Sequence, residues 1–316
     1  MFLVCGEALF DIFVDGSARK SETRIPFDGV AGGSPFNVAI GLTRMGQNTG
    51  LLTGVSKDFL GQRLMAILEH EKVNTDFIVS KQAPTTLSFI QKDNKGVPNY
   101  AFYGAGGADR SVETEDLPKN YSIDGIHVGS YSIVTPPTSD TLFELVLKHS
   151  GQCLVSLDPN VRLGVEPDIE QWIDRVDMIA RHANLLKISD EDFAHLYPDK
   201  LVEEKIKEWL SFGIGLVAFT KGGDGADLWS QQANVTVQAP KITVADTVGA
   251  GDTFQTALIE QLLGLKQQTD NWEALLDSKK LQSIGKFAAT AAAITCSRQG
   301  ADLPNRAEVI KALTQH

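Results

Sequence analysis

Short, largely apolar runs alternate with amphipathic stretches along most of this chain, and this alternation restricts the fold more than any other feature. Three such runs are Phe2 to Cys5, Leu51 to Val55 and Cys153 to Leu157. Runs of this length and composition are typical of strands that are buried on both faces of a sheet. Segments with apolar residues at helical spacing lie between them, for example Phe59 to His70 and Ile169 to His182. The order strand, helix, strand predicts an α/β protein with a mostly parallel sheet.

The segment 76–104 departs from this alternation. Residues 77–79, 85–91 and 100–103 are rich in β-branched and aromatic side chains, which predicts strands, and Asp93-Asn94-Lys95-Gly96 predicts a hairpin turn. Residues 12–30 also lack helical spacing, so we expect strands that leave the main sheet. We expect these two segments to form a small β-sheet, acting as a lid or a dimer surface, within one domain that spans residues 1–316.

The charge and the cysteines restrict the class of protein. A net charge of -11 at pH 7 argues against a surface for nucleic acid or anionic membrane. Cys5, Cys153 and Cys296 are widely spaced in apolar surroundings, which predicts buried thiols in a reducing compartment. The first residues lack a basic signal-peptide region, and no stretch approaches the ~18 apolar residues of a membrane span. We therefore expect a soluble, cytoplasmic protein.

The stretch Asp246-Thr247-Val248-Gly249-Ala250-Gly251-Asp252-Thr253-Phe254 predicts a phosphate site. An amphipathic run begins at Phe254, so the glycines lie at the start of a helix, where unpaired N–H groups and the helix dipole favour an anion. Asp252 has two interpretations. It caps the helix, or it takes a proton from a hydroxyl group that attacks the phosphate.

Other polar residues follow the predicted strands, where ligands bind in open α/β sheets. Ser34 and Pro35 predict a helix start, with Ser34 as its cap. Asn37 lies one turn later and is either a ligand-binding amide or core filler, just as Asp11 is either a ligand or a turn carboxylate. A polyhydroxyl ligand suits the set Asp11, Gly32, Gly33, Asn37, Asn160 and Arg162. Phosphate suits the loops Thr220 to Gly225 and Gly249 to Asp252. We expect one crevice with these two subsites.

Two stretches resemble the signatures of the ribokinase-like, or PfkB-type, carbohydrate kinases. They are Ala31-Gly32-Gly33-Ser34-Pro35-Phe36-Asn37-Val38-Ala39 with Gly46, and the stretch Asp246 to Phe254. The resemblance covers essentially the whole chain. It implies a three-layer α/β/α sandwich with a mostly parallel central sheet and a small β-sheet lid. The stretches 6–11, 85–89, 102–110 and 158–162 most resemble the bacterial members that phosphorylate fructose.

The resemblance implies ATP-dependent phosphorylation of the 6-hydroxyl of D-fructose. Asp252 would be the catalytic base, and the backbone N–H groups of Gly249, Ala250 and Gly251 would neutralise charge on the transferred phosphoryl group. The residues implied to contact the sugar are Asp11, Gly32, Gly33, Asn37, Gln91, Tyr103, Arg110, Asn160 and Arg162. Those implied to contact ATP are Lys187, Thr220, Lys221, Gly222, Gly225 and Gly251.

The same resemblance implies Mg²⁺ as a cofactor. Many members have Asn-x-x-Glu near the Mg²⁺–phosphate network, where this chain has Ser189-Asp190-Glu191-Asp192. The side chain of Asp192 is one methylene shorter than glutamate, which implies an indirect contact through water. Many members also bind a monovalent cation through backbone carbonyls, here near Asp246, Val248 and residues 298–300. Side chains do not decide whether K⁺ binds.

Several alternatives stay open at this point. The 246–254 stretch does not separate fructose from 2-keto-3-deoxygluconate, tagatose, ribose or a nucleoside, and Arg110 could serve a sugar acid. A non-catalytic sugar or nucleotide sensor would be marked by loss of Asp252, which is present. An NAD-binding protein needs Gly-x-Gly-x-x-Gly after the first strand, and Gly6-Glu7-Ala8 does not supply it. We expect a homodimer formed through the β-sheet lid.

Overall fold

The computed structural model describes residues 1–14, 23, 25–92, 98–117 and 121–314. The strands are β1 Phe2–Cys5, β2 Leu9–Val14, β3 Phe27–Gly32, β4 Thr49–Ser56, β5 Ile78–Lys81, β6 Leu87–Lys92, β7 Pro98–Tyr103, β8 Gly125–Gly129, β9 Leu154–Asp158, β10 Leu185–Ser189, β11 Leu216–Thr220, β12 Ala226–Trp229 and β13 Asn234–Val237. The α-helices are α1 Ser34–Arg44, α2 Phe59–His70, α3 Thr138–His149, α4 Ile169–Ala180, α5 Asp190–Leu196, α6 Val202–Ser211, α7 Ala250–Lys266, α8 Ser278–Cys296 and α9 Arg306–Leu313.

Nine strands form the main sheet, in the order β13-β12-β11-β10-β9-β8-β1-β4-β5. All neighbouring pairs from β5 to β11 are parallel, and the hairpin β12–β13 adds two antiparallel strands at one edge. Strands β1, β8 and β9 are buried along their whole length. The sequence prediction of a mostly parallel sheet is therefore confirmed.

Helices cover both faces of this sheet. Because successive residues of a strand point to opposite faces, Phe2 and Val4 of β1 pack in one apolar cluster, whereas Leu3 and Cys5 pack in another. The first cluster takes residues from α1, α2, α7, α8 and α9, and the second from α3, α4, α5 and α6. The result is the three-layer α/β/α arrangement.

A second, four-stranded sheet has the order β3-β2-β6-β7. Strands β2 and β6 are parallel, and the two outer pairs are antiparallel. One part of the predicted lid is wrong: the strand predicted at 77–79 is β5, which pairs with β4 at the edge of the main sheet. An apolar run of this length predicts a strand without indicating which sheet edge it joins. The turn predicted at 93–96 lies outside the described residues.

The cysteines are free, with Cys5 and Cys153 buried and Cys296 half-buried. Burial raises the pKa of all three thiols. In the described part of the chain, no helix combines the length and the apolar character that crossing a membrane requires.

Gly54 of β4 marks a close approach between the main sheet and the chain that returns from the small sheet. A β-carbon at Gly54 would lie 1.9 Å from the carbonyl oxygen of Ala108, a backbone atom that a side-chain rotation cannot move. We expect Gly54→Ala to lower the free energy of unfolding by about 1–3 kcal/mol, the usual range for overpacking. Denaturant unfolding measures this difference.

The matched control is Gly264→Ala. Gly264 lies within α7, and a β-carbon there would meet no atom within 4 Å. Because alanine favours a helix over glycine, this variant should be neutral or more stable by up to about 1 kcal/mol. Equal stabilities of the two variants would contradict the close approach at Gly54.

Candidate active site

The carboxyl ends of several parallel strands open into one cavity of about 960 Å³, a volume typical of ligand sites. The small sheet forms its other wall, through Asp11, Ser88, Ile90 and Phe102. From the main sheet and the loops after its strands, the cavity is lined by Glu7, Ser130, Asn160, Lys187, Ser189 and Thr220. The amino end of α7 reaches the same space through residues 247–252. The two predicted subsites therefore share one crevice.

Residues 246–251 are called the glycine loop here. This loop contains a residue in the left-handed conformation at the point where α7 begins. Gly249 has φ 77° and is the N-cap of the helix, without a side-chain capping bond. A β-carbon there would also come within 2.7 Å of Ala301. Ala250, Gly251 and Asp252 form the first turn, whose N–H groups have no acceptor within the helix. The loop has the geometry of an anion site.

Asp252 does not cap the helix. Its carboxylate is buried, and it accepts one hydrogen bond from the Ser34 hydroxyl and one from the Asn37 amide, each 2.7 Å long. Burial raises the pKa of Asp252, while these two hydrogen bonds and the charges of Lys187 and Arg162 lower it. Both donors belong to the first turn of α1, so the helices that carry the two sequence signatures meet at this carboxylate.

The prediction that Ser34 caps α1 is wrong. The N-cap is Gly33, with φ 109°, and as a glycine it supplies no side-chain capping bond. A β-carbon at Gly33 would lie 2.7 Å from the backbone oxygen of Glu7, so glycine is required by space as well as by φ. The hydroxyl of Ser34 is thereby left to bind Asp252. The Ser-Pro pattern alone did not distinguish these two roles.

The sugar-side residues Asp11, Gly33, Asn37, Asn160 and Arg162 all line the cavity. Burial raises the pKa of Asp11 to about 6, against the lowering effects of a hydrogen bond from Ser88 and of the charge on Arg162. Gly32 leaves room for the Asp11 carboxylate, because a β-carbon at Gly32 would come within 2.6 Å of an Asp11 carboxylate oxygen.

Three other residues predicted to contact the sugar do not line the cavity. Gln91 is exposed, whereas Ser88 and Ile90 of the same strand, β6, line the cavity. Tyr103 is largely exposed and packs edge-on against Phe89, whereas its neighbour Phe102 lines the cavity. Both differences follow from the alternation of side chains along a strand.

Arg110 is the third of these residues. Its guanidinium lies 4.7 Å from the centre of the ring of Tyr131, which lines the cavity, whereas Arg110 does not. Neighbouring Asp109 is buried and accepts hydrogen bonds from Tyr131 and Thr86. Arg110 therefore belongs to a polar cluster that joins the small sheet to the main body.

Only some of the residues predicted to contact the nucleotide line the cavity. Thr220, Gly222 and Gly225 line the cavity, but the ammonium of Lys221 pairs with both oxygens of Asp227 at 2.9 Å. Lys187 lines the cavity and is nearly fully buried. A β-carbon on Gly251 would lie 3.2 Å from its ammonium nitrogen, so this charge stands directly beside the glycine loop.

Two buried carboxylates were missed as site residues. Asp158 Oδ2 lies 2.9 Å from Lys187 Nζ, and burial raises the pKa of Asp158 to about 6. Glu7 lines the cavity and accepts hydrogen bonds from Ser132 Oγ at 2.6 Å and from the Ser34 N–H at 3.3 Å. Its burial raises the pKa of Glu7 to about 7. The pairing of Asp158 with Lys187 depends on the register of β9 and β10, which the sequence alone does not provide.

The residues predicted near metal ions have other partners. Asp192 is buried, does not line the cavity, and accepts the N–H of Val161 at 2.9 Å. Among the residues that the structure describes, no three His, Cys, Asp or Glu side chains are placed to hold a metal ion together. At the carboxyl end of β9, the buried oxygens Asp158 Oδ1 and Asn160 Oδ1 nevertheless lack a hydrogen-bond partner.

Asp246 joins the two loops predicted to hold a monovalent cation. Its Oδ1 accepts the N–H groups of Thr247 and Val248, at 2.8 and 3.2 Å, and its Oδ2 accepts the N–H of Gly300 at 3.0 Å. The carboxylate thus holds the start of the glycine loop against residues 298–300. Val248 itself lines the cavity.

Comparison with known proteins identifies similar chains and similar structures. A curated relative, a fructokinase of Rhizobium leguminosarum bv. trifolii, is 33% identical over 284 residues, which is 90% of this chain and 86% of the relative. A crystal structure of fructokinase from Vibrio cholerae O395, with fructose, ADP and calcium bound, has a TM-score of 0.84 at 23% identity and covers 99% of this chain and 98% of that one. A putative ribokinase II of E. coli in complex with ATP and Mg²⁺ has a TM-score of 0.85 at 20% identity, over 100% and 99% of the two chains.

The two structures establish the ribokinase-like fold, with its large, mostly parallel sheet and separate small sheet. The model of the pfkB family carbohydrate kinases matches residues 6–308, nearly the whole sequence. Together with the relative at 33% identity, this match shows that the chain belongs to the pfkB family of carbohydrate kinases.

Proposed function

We propose that the protein is a fructokinase, which transfers the γ-phosphoryl group of ATP to the 6-hydroxyl of D-fructose. The observation that carries this proposal is the position of Asp252, a buried carboxylate between the sugar-side residues and the glycine loop. The fructokinase relative at 33% identity and the Vibrio cholerae fructokinase with fructose and ADP support the substrate.

Asp252 is the proposed catalytic base. The proton of the sugar hydroxyl passes to its carboxylate, the hydroxyl oxygen forms a bond to the γ-phosphorus, and the bond to the β-phosphate oxygen breaks to release ADP. Ser34 and Asn37 hold the carboxylate from the side of α1. Because burial raises the pKa of Asp252, the carboxylate is a stronger base than an exposed aspartate.

The glycine loop and Lys187 are proposed to stabilise the transferred group. Phosphoryl transfer depends chiefly on positioning and on neutralising charge, and donors that are already in place do this without reorganisation. The N–H groups of residues 249–251 supply such donors, and that of Ala250 also donates to the Thr247 carbonyl at 3.3 Å. The ammonium of Lys187 stands beside them, held by Asp158.

The residues present fit a Mg²⁺ ion that enters with ATP. Mg²⁺ usually keeps several waters and few protein ligands beside the substrate phosphates. Asp158 Oδ1 and Asn160 Oδ1, buried and without partners, are the oxygens that would hold it or its waters. The ion would neutralise phosphate charge. The hydrogen bond from the Val161 N–H to Asp192 supports an indirect role for Asp192, in which it fixes the 160–162 loop.

We also infer a K⁺ site formed by carbonyls of the loops at Asp246, Val248 and 298–300. The support is the hydrogen bond from Gly300 to Asp246, which holds these loops together. Among the alternative sugars, an acid such as 2-keto-3-deoxygluconate loses support, because Arg110 packs on the Tyr131 ring and does not line the cavity.

Wild-type protein is expected to release ADP fastest with fructose in a panel that includes ribose, tagatose, 2-keto-3-deoxygluconate and fructose 6-phosphate. Asp252→Asn should lower kcat by several orders of magnitude, because loss of a catalytic group removes proton transfer and disturbs the contacts around it. A coupled ADP assay measures turnover, and calorimetry checks that fructose and ATP still bind.

The matched control for Asp252→Asn is Glu170→Gln, which removes an exposed acid from the first turn of another helix. Its kcat should equal that of the wild type. The panel is repeated with K⁺ replaced by tetramethylammonium at equal ionic strength. Near-normal turnover by Asp252→Asn would remove Asp252 as the base, and a faster sugar than fructose would replace the proposed substrate.

Asp11→Ala should raise the KM for fructose about 10- to 100-fold and leave the KM for ATP nearly unchanged, since a hydrogen bond to a charged group contributes about 1.5–3 kcal/mol. The pKa of Asp11 is about 6, so its carboxylate is ionised above that pH and protonated below it. The wild-type KM for fructose should therefore rise as the pH falls below 6. Initial rates between pH 5 and 8 measure both effects.

In Asp11→Ala this acid-side rise of the fructose KM should disappear. The control is Asp28→Ala, which removes an exposed carboxylate from β3 of the same sheet, outside the cavity. It should behave as the wild type. A larger change in the KM for ATP than for fructose would contradict the sugar role of Asp11.

We further infer that the chain is one domain and forms a homodimer through the small sheet. The small sheet shares the cores of the main body, since Phe10 packs in one cluster and Leu9 in the other. Its outer face exposes a continuous aromatic strip, in which Phe89 contacts both Phe27 and Tyr103 edge-on. Exposed apolar patches of this kind mark interaction sites.

The dimer predicts that the double variant Phe27→Asp/Tyr103→Asp sediments as a monomer at micromolar concentration, while the wild type sediments as a dimer. Buried charge would oppose association of the two faces. The control is Phe59→Asp, at a highly exposed phenylalanine on α2 away from the small sheet, and it should remain dimeric. A monomeric wild type would contradict this interface.

A further inference from the structure

Two rows of polar side chains lie on the face of the main sheet that α7 covers. The row at the carboxyl edge holds Asp158 and Lys187, beside Asp252 of α7. The second row lies two residues deeper, where β8 and β9 pair His127 with Ser156. Ser156 and Asp158 face the same side because a strand repeats every two residues. Asp252 and Gln255 share a helix face because they are three residues apart.

The deeper row forms a chain of hydrogen bonds. Gln255 Nε2 donates to Ser156 Oγ at 2.6 Å, and Ser156 Oγ lies 3.1 Å from His127 Nδ1. All three side chains are completely buried. Burial lowers the pKa of His127 to about 3, so the ring is neutral. Gln255 is the donor of the first bond, and the direction of the second depends on which ring nitrogen of His127 carries the proton.

Burying this chain of hydrogen bonds has a cost in free energy of unfolding. Gln255 Oε1 and His127 Nε2 are buried without partners, and each such atom carries a desolvation penalty. Apolar residues of the same size would pack this layer without that cost. A buried polar contact that lowers stability in this way is best explained by the geometry that it enforces.

We propose that Gln255 is a positioning residue for the kinase reaction, whose hydrogen bond to Ser156 fixes the rotation and depth of α7 and so places Asp252. The inference rests on the function proposed above. Apolar contacts let a helix turn slightly at little cost, whereas a hydrogen bond is directional. A carboxylate end lies roughly 6 Å from its helix axis, so a rotation of about 10° would move it by about 1 Å. A shift of this size costs about 100-fold in rate.

The test compares Gln255→Met, which removes the hydrogen bond and retains the side-chain length, with the matched control Thr256→Val. Thr256 is the next residue of α7, buried and with a hydroxyl that has no partner, so valine removes no hydrogen bond. Gln255→Met is expected to lower kcat about 10- to 100-fold, with KM values for fructose and ATP within threefold. Thr256→Val should retain the wild-type kcat.

Ser156 provides the second arm. Ser156→Ala should lower kcat as Gln255→Met does, and the double variant should be no worse than either single variant, because both remove one interaction. Ser156→Thr, which restores the hydroxyl, should recover most of the lost activity. Thermal unfolding of each variant separates a stability loss from a kinetic one.

Amide hydrogen exchange of residues 249–256 adds a readout that needs no substrate, with faster exchange expected in Gln255→Met and Ser156→Ala. If the wild type turns over no sugar in the panel, the proposed function fails, and the exchange result alone decides the positioning role. A normal kcat in Gln255→Met, even with a lowered Tm, overturns the inference. Unchanged exchange in both variants also overturns it.

Discussion

The two hydrogen bonds that Ser34 and Asn37 donate to Asp252 are the contact on which the site depends. They join the amino ends of α1 and α7, whose sequences are 215 or more residues apart along the chain. Each helix starts at a glycine with positive φ, Gly33 and Gly249, so each start presents backbone groups without a β-carbon. Because both helix starts meet at one carboxylate, the two predicted subsites of the cavity are held in a fixed relation to the same oxygen atoms.

Burying charge around this contact has a thermodynamic cost. The pKa values of Glu7, Asp11 and Asp158 are raised to about 7, 6 and 6, above the ordinary values of about 4 for such groups. A carboxyl group with a raised pKa binds its proton more tightly in the folded state than in the unfolded state. Its contribution therefore lowers the free energy of unfolding as the pH rises from about 4 to about 7. The buried ion pair with Lys187 lowers the pKa of Asp158 and so reduces this loss of stability, but only in part.

The sequence was sufficient to predict the sheet and the residues of the two signatures, because burial on both faces and glycine-rich helix starts are local patterns. The sequence was not sufficient to predict which face of the small sheet each side chain occupies. Gln91 and Tyr103 are each one residue beyond a cavity-facing neighbour, and one residue reverses the face of a strand. The glycines that follow Lys221 favoured a contact between Lys221 and the nucleotide. In the structure its ammonium group instead forms an ion pair with Asp227 across a hairpin. The Asp158–Lys187 pair likewise depends on the register between strands that a helix separates.

The periodicity of strands and helices makes these contacts hard to predict, and it also determines which side chains meet at the site. A strand repeats its face every two residues and a helix nearly every three or four, so β9 and α7 meet in successive layers. Asp158 and Asp252 occupy the layer at the sheet edge, and Ser156 and Gln255 occupy the one beneath it. The outer layer carries charged side chains, with Asp252 held by Ser34 and Asn37 and Asp158 held by Lys187. The inner layer has no access to ligand, and its polar atoms act only on the relative position of strand and helix. A displacement of α7 therefore moves Asp252 with it, because Gln255 and Asp252 lie about one helical turn apart on the same helix.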